Sequence, residues 1–270
     1  VQQKLIALDL DGTTLNGQSM ISPKTKAVLQ KASRAGHIVS IVTGRPYRIS
    51  KQIYDDLNIK TPMINFNGGL GHIPHQNWDK EYQKTFSREI AFDLLKNMDT
   101  FGIKLMAAEK KSMILASNPH AIVDDFFPVP LNSEQILNQQ NLKSDPTSLT
   151  ILIDDKKKDK IIQHLEQVYG SNVEVGVWGG VNPVLELEPK GVNKAVGIKH
   201  LADNFKIDRS NIIAFGDEHN DREMIDYAGW GVVMSNGTDE LKKLANDITA
   251  KDNTQDGLAT YLENYLKLAE

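Results

Sequence analysis

The chain has no cysteine among its 270 residues. That excludes disulfides and thiolate metal sites but does not identify a compartment. Long apolar runs are lacking too. No segment approaches the roughly 18 residues of a membrane span, and the N-terminus enters a strand without the apolar stretch of a secretory signal. The expected location is the cytoplasm, with no membrane partner. Positive charge is not in excess: 31 Lys and Arg stand against 35 Asp and Glu, a net charge of −4. No nucleic-acid partner is expected, and a small charged substrate has to be captured by local positive charge. There is no repeat, low-complexity tract or long linker, and nothing that speaks to oligomeric state. What remains is an ordinary globular composition, 40% apolar and 24% charged, long enough for one large domain or two smaller ones.

The first section alternates strand and helix. Strand 3–10 leads to Ser22-Pro23, a cap followed by a first-turn proline, and a helix to about Ala35. HIVSIVT (37–43) is a second strand. Pro46 opens a helix to about Leu57, and PMINFNGG (62–69) is a third strand or strand end. This order predicts parallel strands with right-handed crossovers. The middle section reads differently: a helix at 87–100, a tight hairpin of strands 103–108 and 112–117, a strand at 148–154, a helix at 157–169, and strands 172–178 and 183–188. From Lys190 the β–α alternation returns, with NIIAFG (211–216) and GVVM (231–234) as strands. The expected fold class is α/β: a core of residues 1–82 plus 189–270, interrupted by an α+β insertion at 83–188.

Ligands of open parallel sheets sit outside the carboxyl ends of the strands. The first strand delivers Asp9, Asp11 and Thr13 there, and the second delivers Thr43, Gly44 and Arg45. The third brings Asn67-Gly68-Gly69, and NIIAFG brings Asp217, His219, Asn220 and Asp221. Lys190 and Lys194 arrive with the segment returning from the insertion. Hard oxygen ligands suit Mg²⁺. A metal offsets repulsion between a carboxylate nucleophile and a phosphate dianion. The attacking carboxylate forms an acyl-phosphate, and a second carboxylate serves the leaving oxygen and then the water. Asp9 and Asp11 are candidates for that pair.

Structural readings compete with this one. An EF-hand would need a further ligand before its glycine, and Gly12 comes too early. Asp217, Asn220 and Asp221 could only cap a helix. Lys194 follows the expected N-cap Asn193, where a cation opposes the helix dipole unless an anion shares the site. Lys190 and Lys156-Lys157-Lys158 read as solvated, His72-x-x-His75 as a surface loop, and Trp78 and Trp230 as packing. Trp178, beside Gly179-Gly180, is the tryptophan placed to reach a ligand.

Together these motifs resemble those of the haloacid dehalogenase superfamily, in its Cof-type or IIB branch, over essentially the whole chain. DLDGT (9–13), Thr43 before Gly44-Arg45, Lys194 in KGVNKA and GDEHND (216–221) correspond to its four motifs. The resemblance implies a Rossmann-like core with an inserted C2-type (C2B) cap that selects the leaving group. It implies Asp9 as nucleophile and Asp11 as general acid/base, with Thr43 and Lys194 completing the catalytic set. Mg²⁺ would be held by Asp9, the Asp11 carbonyl and Asp217, with Asp221 in support. Phosphate would meet the Leu10 backbone, Thr43, Gly44, Lys194 and Asn220. The expected activity is hydrolysis of a small phosphomonoester, a sugar phosphate or related metabolite. The alternatives are a phosphotransferase or mutase using the same nucleophile, a phospho-accepting receiver, and a non-catalytic metabolite sensor.

Overall fold

Alternate side chains of the first strand are claimed by two different cores. The computed structural model describes residues 2–121, 130–178 and 184–268. In it β1 (Leu5–Leu8) is wholly buried, with Ile6 and Leu8 in one apolar cluster and Leu5 and Ala7 in another. A strand covered on both faces needs an unbroken apolar run. α1 (Pro23–Arg34) begins where Ser22 accepts the Thr25 N–H at 3.0 Å. β2 (Ile38–Ile41), α2 (Tyr47–Leu57) and β3 (Met63–Asn65) follow. β3 meets the chain beyond β2 at a parallel bridge, Val42 to Ile64. It then turns back through β4 (Leu70–His72), an antiparallel partner that the sequence reading did not anticipate.

The chain divides into two units, Val1–Tyr82 with Asn193–Glu270, and Gln83–Val192. β5 (Tyr82–Gln83) lies at their junction in sequence. The second unit runs α3 (Arg88–Lys96), α4 (Met98–Phe101), β6 (Ile103–Lys110), β7 (Met113–Ala116), β8 (Ser148–Ile153), α5 (Lys158–Tyr169), β9 (Val173–Trp178) and β10 (Val184–Pro189). Its strands form an antiparallel sheet in the order β7-β6-β8-β10-β9. One face packs on α3 and α5, through Ile90, Leu94, Ile161 and Leu165 against Leu149, Ile151, Leu185 and Leu187. The helix expected at 87–100 breaks at Asn97. Its amide donates to the Asp93 carbonyl at 2.9 Å and competes with the helical ladder. The first hairpin is tighter than expected, with Lys110 opposite Met113. The Trp178 side chain and Gly179-Gly180 lie outside the described residues.

The first unit resumes with α6 (Lys194–Phe205), β11 (Ile212–Gly216), α7 (Arg222–Tyr227), β12 (Trp230–Val233), α8 (Asp239–Lys242), β13 (Asp247–Ile248) and α9 (Gly257–Leu266). Its main sheet is parallel, in the order β13-β12-β11-β1-β2. α1 and α9 supply Val28, Leu29, Leu258 and Leu262 to one face. α6, α7 and α8 supply Ile198, Leu201, Met224 and Leu241 to the other. Among the described residues no helix is long and apolar enough to cross a membrane.

Leu29 is fully buried. Leu29→Ala should cost about 3 kcal/mol through lost transfer energy and a residual cavity, read as a lowered urea midpoint. Met20→Ala, at an exposed position, should shift stability by less than about 0.5 kcal/mol.

Candidate active site

The register of the parallel sheet aligns three strand ends. Leu8 lies opposite Phe215 on one side and Ile41 on the other. Asp9 leaves β1 beside Asp217 leaving β11, while Thr43 follows β2 by two residues. β1 is also where the strand order reverses, with earlier and later strands leaving on opposite sides. Helices on both faces leave a crevice at such a switch point.

Lys194 occupies the first turn of α6 and is 0% exposed. Its ammonium donates to Asp9 Oδ1 and Asp221 Oδ1, both at 2.6 Å. The conflict with the helix dipole is thus answered by two buried carboxylates. The second oxygen of Asp221 accepts the N–H groups of Asp217 and Glu218, at 2.9 and 3.1 Å. Asp221 therefore shapes the Asp217 turn and holds Lys194 at once. Asp217 accepts from the Thr13 hydroxyl at 2.8 Å. Asp9, Asp217 and Asp221 each bring a carboxylate oxygen within 4.8 Å of the others. Three carboxylates against one ammonium leave two negative charges uncompensated, and the donor set is all oxygen. A divalent hard cation fits that charge and chemistry.

The electrostatics carry the same imprint. Burial above all, then the Asp221 charge, push the Asp9 carboxyl well above the usual carboxylate range, and Lys194 pulls it only part of the way back. Burial alone would depress the Lys194 ammonium. The Asp221 and Asp9 carboxylates outweigh that and hold it above its ordinary value. Asp217 is pushed up to about 6, chiefly by burial, with the Thr13 hydrogen bond opposing the rise and the Asp221 charge adding to it.

Asp11 faces a different partner. Arg45 grips both its oxygens, Nε to Oδ2 at 2.7 Å and Nη2 to Oδ1 at 2.5 Å. Its carboxylate remains 58% exposed, in contrast to Asp9. Gly12, between them and Thr13, has φ +68°, and a β-carbon there would run into the Asp217 carboxylate. Thr43 is buried, and its hydroxyl accepts the Arg45 N–H at 3.1 Å. The Leu10 carbonyl accepts the Leu15 N–H at 2.8 Å, and the Thr14 hydroxyl bonds the Asp9 carbonyl. Asn220 donates to Asn67 at 3.1 Å. The motif residues of the first unit thus lie on the loops after β1, β2 and β11, with Lys194 reaching Asp9 and Asp221 from the first turn of α6.

The other candidates separate from them. Lys190 lies in the second unit, half-exposed and paired with Glu174 at 3.2 Å. Lys157 donates to the Asp99 carbonyl at 2.9 Å, so it caps α4 and is not simply solvated. His72 is a correction: it is fully buried in β4 and bonds Asn65 at 3.0 Å. Only His75 is exposed, paired with Asp55. Trp78 stacks on Phe205, and Trp230 donates to the Tyr261 hydroxyl.

Several supporting residues escaped the sequence reading. Asn65 donates to the Arg45 carbonyl at 2.8 Å and to Ser50 at 2.9 Å. Asn236 donates to the Gly12 carbonyl at 2.8 Å, and Asn253 to the Leu15 carbonyl at 2.7 Å. The visible signals were an amide ending an apolar strand and an Asn-Gly turn after β12. Neither names its partner, whether Arg45 and Ser50 close by in the chain or Gly12, which Asn236 meets from 224 residues away.

The family model for haloacid dehalogenase-like hydrolases matches residues 6–262. The protein YitU of Bacillus subtilis (strain 168), a 5-amino-6-(5-phospho-D-ribitylamino)uracil phosphatase, is 35% identical over 98% of both chains. YwtE of the same organism, with the same named activity, is 28% identical over 97% of this chain and 98% of its own. The crystal structure of TM0651 from Thermotoga maritima superposes with a TM-score of 0.83 at 22% identity, covering 97% of each chain. The chain belongs to the haloacid dehalogenase-like hydrolase family, in its Cof-type branch. It is a phosphoric monoester hydrolase, with a Rossmann-like core and an inserted C2-type cap.

Because the folded-state pKa of Asp217 is raised, the metal-free fold loses stability at this residue as pH rises from about 4, where the unfolded carboxyl ionises, to about 6. In chelator, the stability of wild type relative to Asp217→Asn should fall by on the order of 2 kcal/mol across that interval. Paired urea titrations at pH 4 and 7 measure the difference.

Proposed function

We propose that Asp9 is the phosphoryl-accepting nucleophile of a Mg²⁺-dependent phosphatase acting on small phosphomonoesters. The observation that carries this is the buried cluster of Asp9, Asp217 and Asp221 around Lys194, two negative charges short of balance. Asp9, Asp217 and the Asp11 carbonyl would hold the metal. Asp221 supports them through Lys194 and the Asp217 turn, because both its oxygens already accept hydrogen bonds. Bound Mg²⁺ supplies positive charge between the nucleophile and the phosphoryl dianion.

The chain's own groups divide the remaining work. Lys194 stays charged and holds Asp9 Oδ1, fixing the carboxylate for attack on phosphorus. The P–O bond of the ester breaks as the acyl-phosphate on Asp9 forms, and the leaving oxygen takes a proton from Asp11. Asp11 then accepts a proton from the water that cleaves the acyl-phosphate and returns Asp9. For this a carboxyl oxygen of Asp11 turns out of the Arg45 fork, and its exposure leaves room for that movement. Leu10 N–H, Thr43, Gly44, Lys194 and Asn220 are assigned to the phosphate oxygens. Leaving-group selection is assigned to residues 83–188 of the inserted unit.

The substrate is a phosphorylated sugar, polyol or related metabolite. YitU, YwtE and a third relative, YcsE, are all named as 5-amino-6-(5-phospho-D-ribitylamino)uracil phosphatases, which puts that compound first among those to try.

Phosphate release should be assayed over a panel of phosphorylated metabolites, scored by kcat/KM. Activity is expected with Mg²⁺, lost with chelator and regained on adding Mg²⁺. Asp9→Asn should lower kcat by about 10³-fold or more. Turnover persisting in Asp9→Asn would sink the nucleophile assignment.

A further inference from the structure

The turn between β3 and β4 has an unusual backbone. Phe66, Asn67 and Gly68 all have positive φ, at +51°, +48° and +108°. Two of them are not glycine, and Phe66 is buried at 1% exposure. Left-handed conformations cost an L-residue roughly 1–2 kcal/mol each and persist only where the surroundings impose them. Asn67 and Gly68 also have neighbours in other segments of the site.

The Asn67 N–H donates to the Thr43 carbonyl at 3.1 Å. Its side-chain oxygen accepts from Asn220 Nδ2 at 3.1 Å. The same amide lies against the bare α-carbon of Gly44, where a β-carbon would come within 2.9 Å of its oxygen. A β-carbon on Gly68 would strike the carbonyl oxygen of Asn193, the residue whose side chain caps α6 by accepting the Val196 N–H at 3.2 Å. The Tyr82 hydroxyl pins the Gly68 carbonyl at 2.8 Å. One short turn therefore touches the Thr43-Gly44 loop, the Asn220 turn and the cap of the helix that carries Lys194.

We propose that Asn67 is a positioning residue of the phosphate site, whose side-chain oxygen orients the Asn220 amide while its backbone fixes the Thr43-Gly44 loop. Its left-handed backbone brings the amide between those two loops. Asn220 has one amide hydrogen engaged by Asn67, which fixes the plane of the group and so the direction of its remaining donor. The inference rests on the phosphate-site assignment above and extends it to a residue outside the four motifs.

The test is a double-mutant cycle on the full chain. Asn67→Gly keeps the left-handed backbone and deletes the amide. It should lower kcat/KM by about 30-fold and raise the inhibition constant of inorganic phosphate, while shifting the Tm by only a few degrees. In an Asn220→Ala background the same change should cost less than about 3-fold, because the group it orients is gone. A merely structural role would lower the active fraction and the Tm and leave KM and the phosphate constant unchanged, which would overturn the proposal. Equal losses in both backgrounds would overturn it as well. Should Asn67→Gly fold poorly, Asn67→Ser removes the same acceptor and carries the same cycle. Wild-type protein with neither phosphate release nor inhibition by phosphate would instead defeat the phosphatase assignment.

Discussion

Lys194 between two buried carboxylates is the interaction on which the rest of the site depends. An ammonium with no solvent exposure needs carboxylate partners in direct contact, and Asp9 and Asp221 both lie 2.6 Å from it. The arrangement also explains why the carboxylates tolerate one another. Each has a specific donor: Lys194 for Asp9 and Asp221, backbone N–H groups again for Asp221, and Thr13 for Asp217. These donors leave an all-oxygen cluster whose chemistry suits a divalent hard cation.

The fold makes this concentration of charge possible in a simple way. Parallel strands in register bring their carboxyl ends to one edge, and the strand order reverses at β1, the position where sheets of this kind take their ligands. The helices that bury both faces of the sheet supply the stability that the site itself consumes. Tight approaches then do the fine placement. Gly12 lets the β1 turn close on Asp217, and Asn236 and Asn253 hold that turn through its carbonyls.

Much of this was legible in the sequence because the motif residues stand at the ends of apolar strands. Asp9, Thr43 and Asp217 follow β1, β2 and β11, and a parallel sheet leaves them one place to go. Lys194 was legible from its conflict with the helix dipole, which demanded an anion. His72 was misread because polar residues in a short segment suggest a loop, whereas its burial depends on β4 pairing with β3 and on hydrogen bonding to Asn65. The Arg45–Asp11 pair and the Asn67–Asn220 contact were invisible for a related reason: local sequence constrains backbone and burial, but not which distant side chain a polar group will meet. The break at Asn97 was hidden because the apolar periodicity runs through it.

A covalent bond to Asp9 is the chemical event that separates a phosphoryl-accepting nucleophile from a merely metal-binding carboxylate. Rapid quenching of the enzyme during turnover, followed by borohydride reduction of any acyl-phosphate and peptide mapping, reads that bond directly. The predicted result is homoserine at position 9 and at no other aspartate. Homoserine at Asp11 or Asp217, or none at all under conditions of measured turnover, would contradict it.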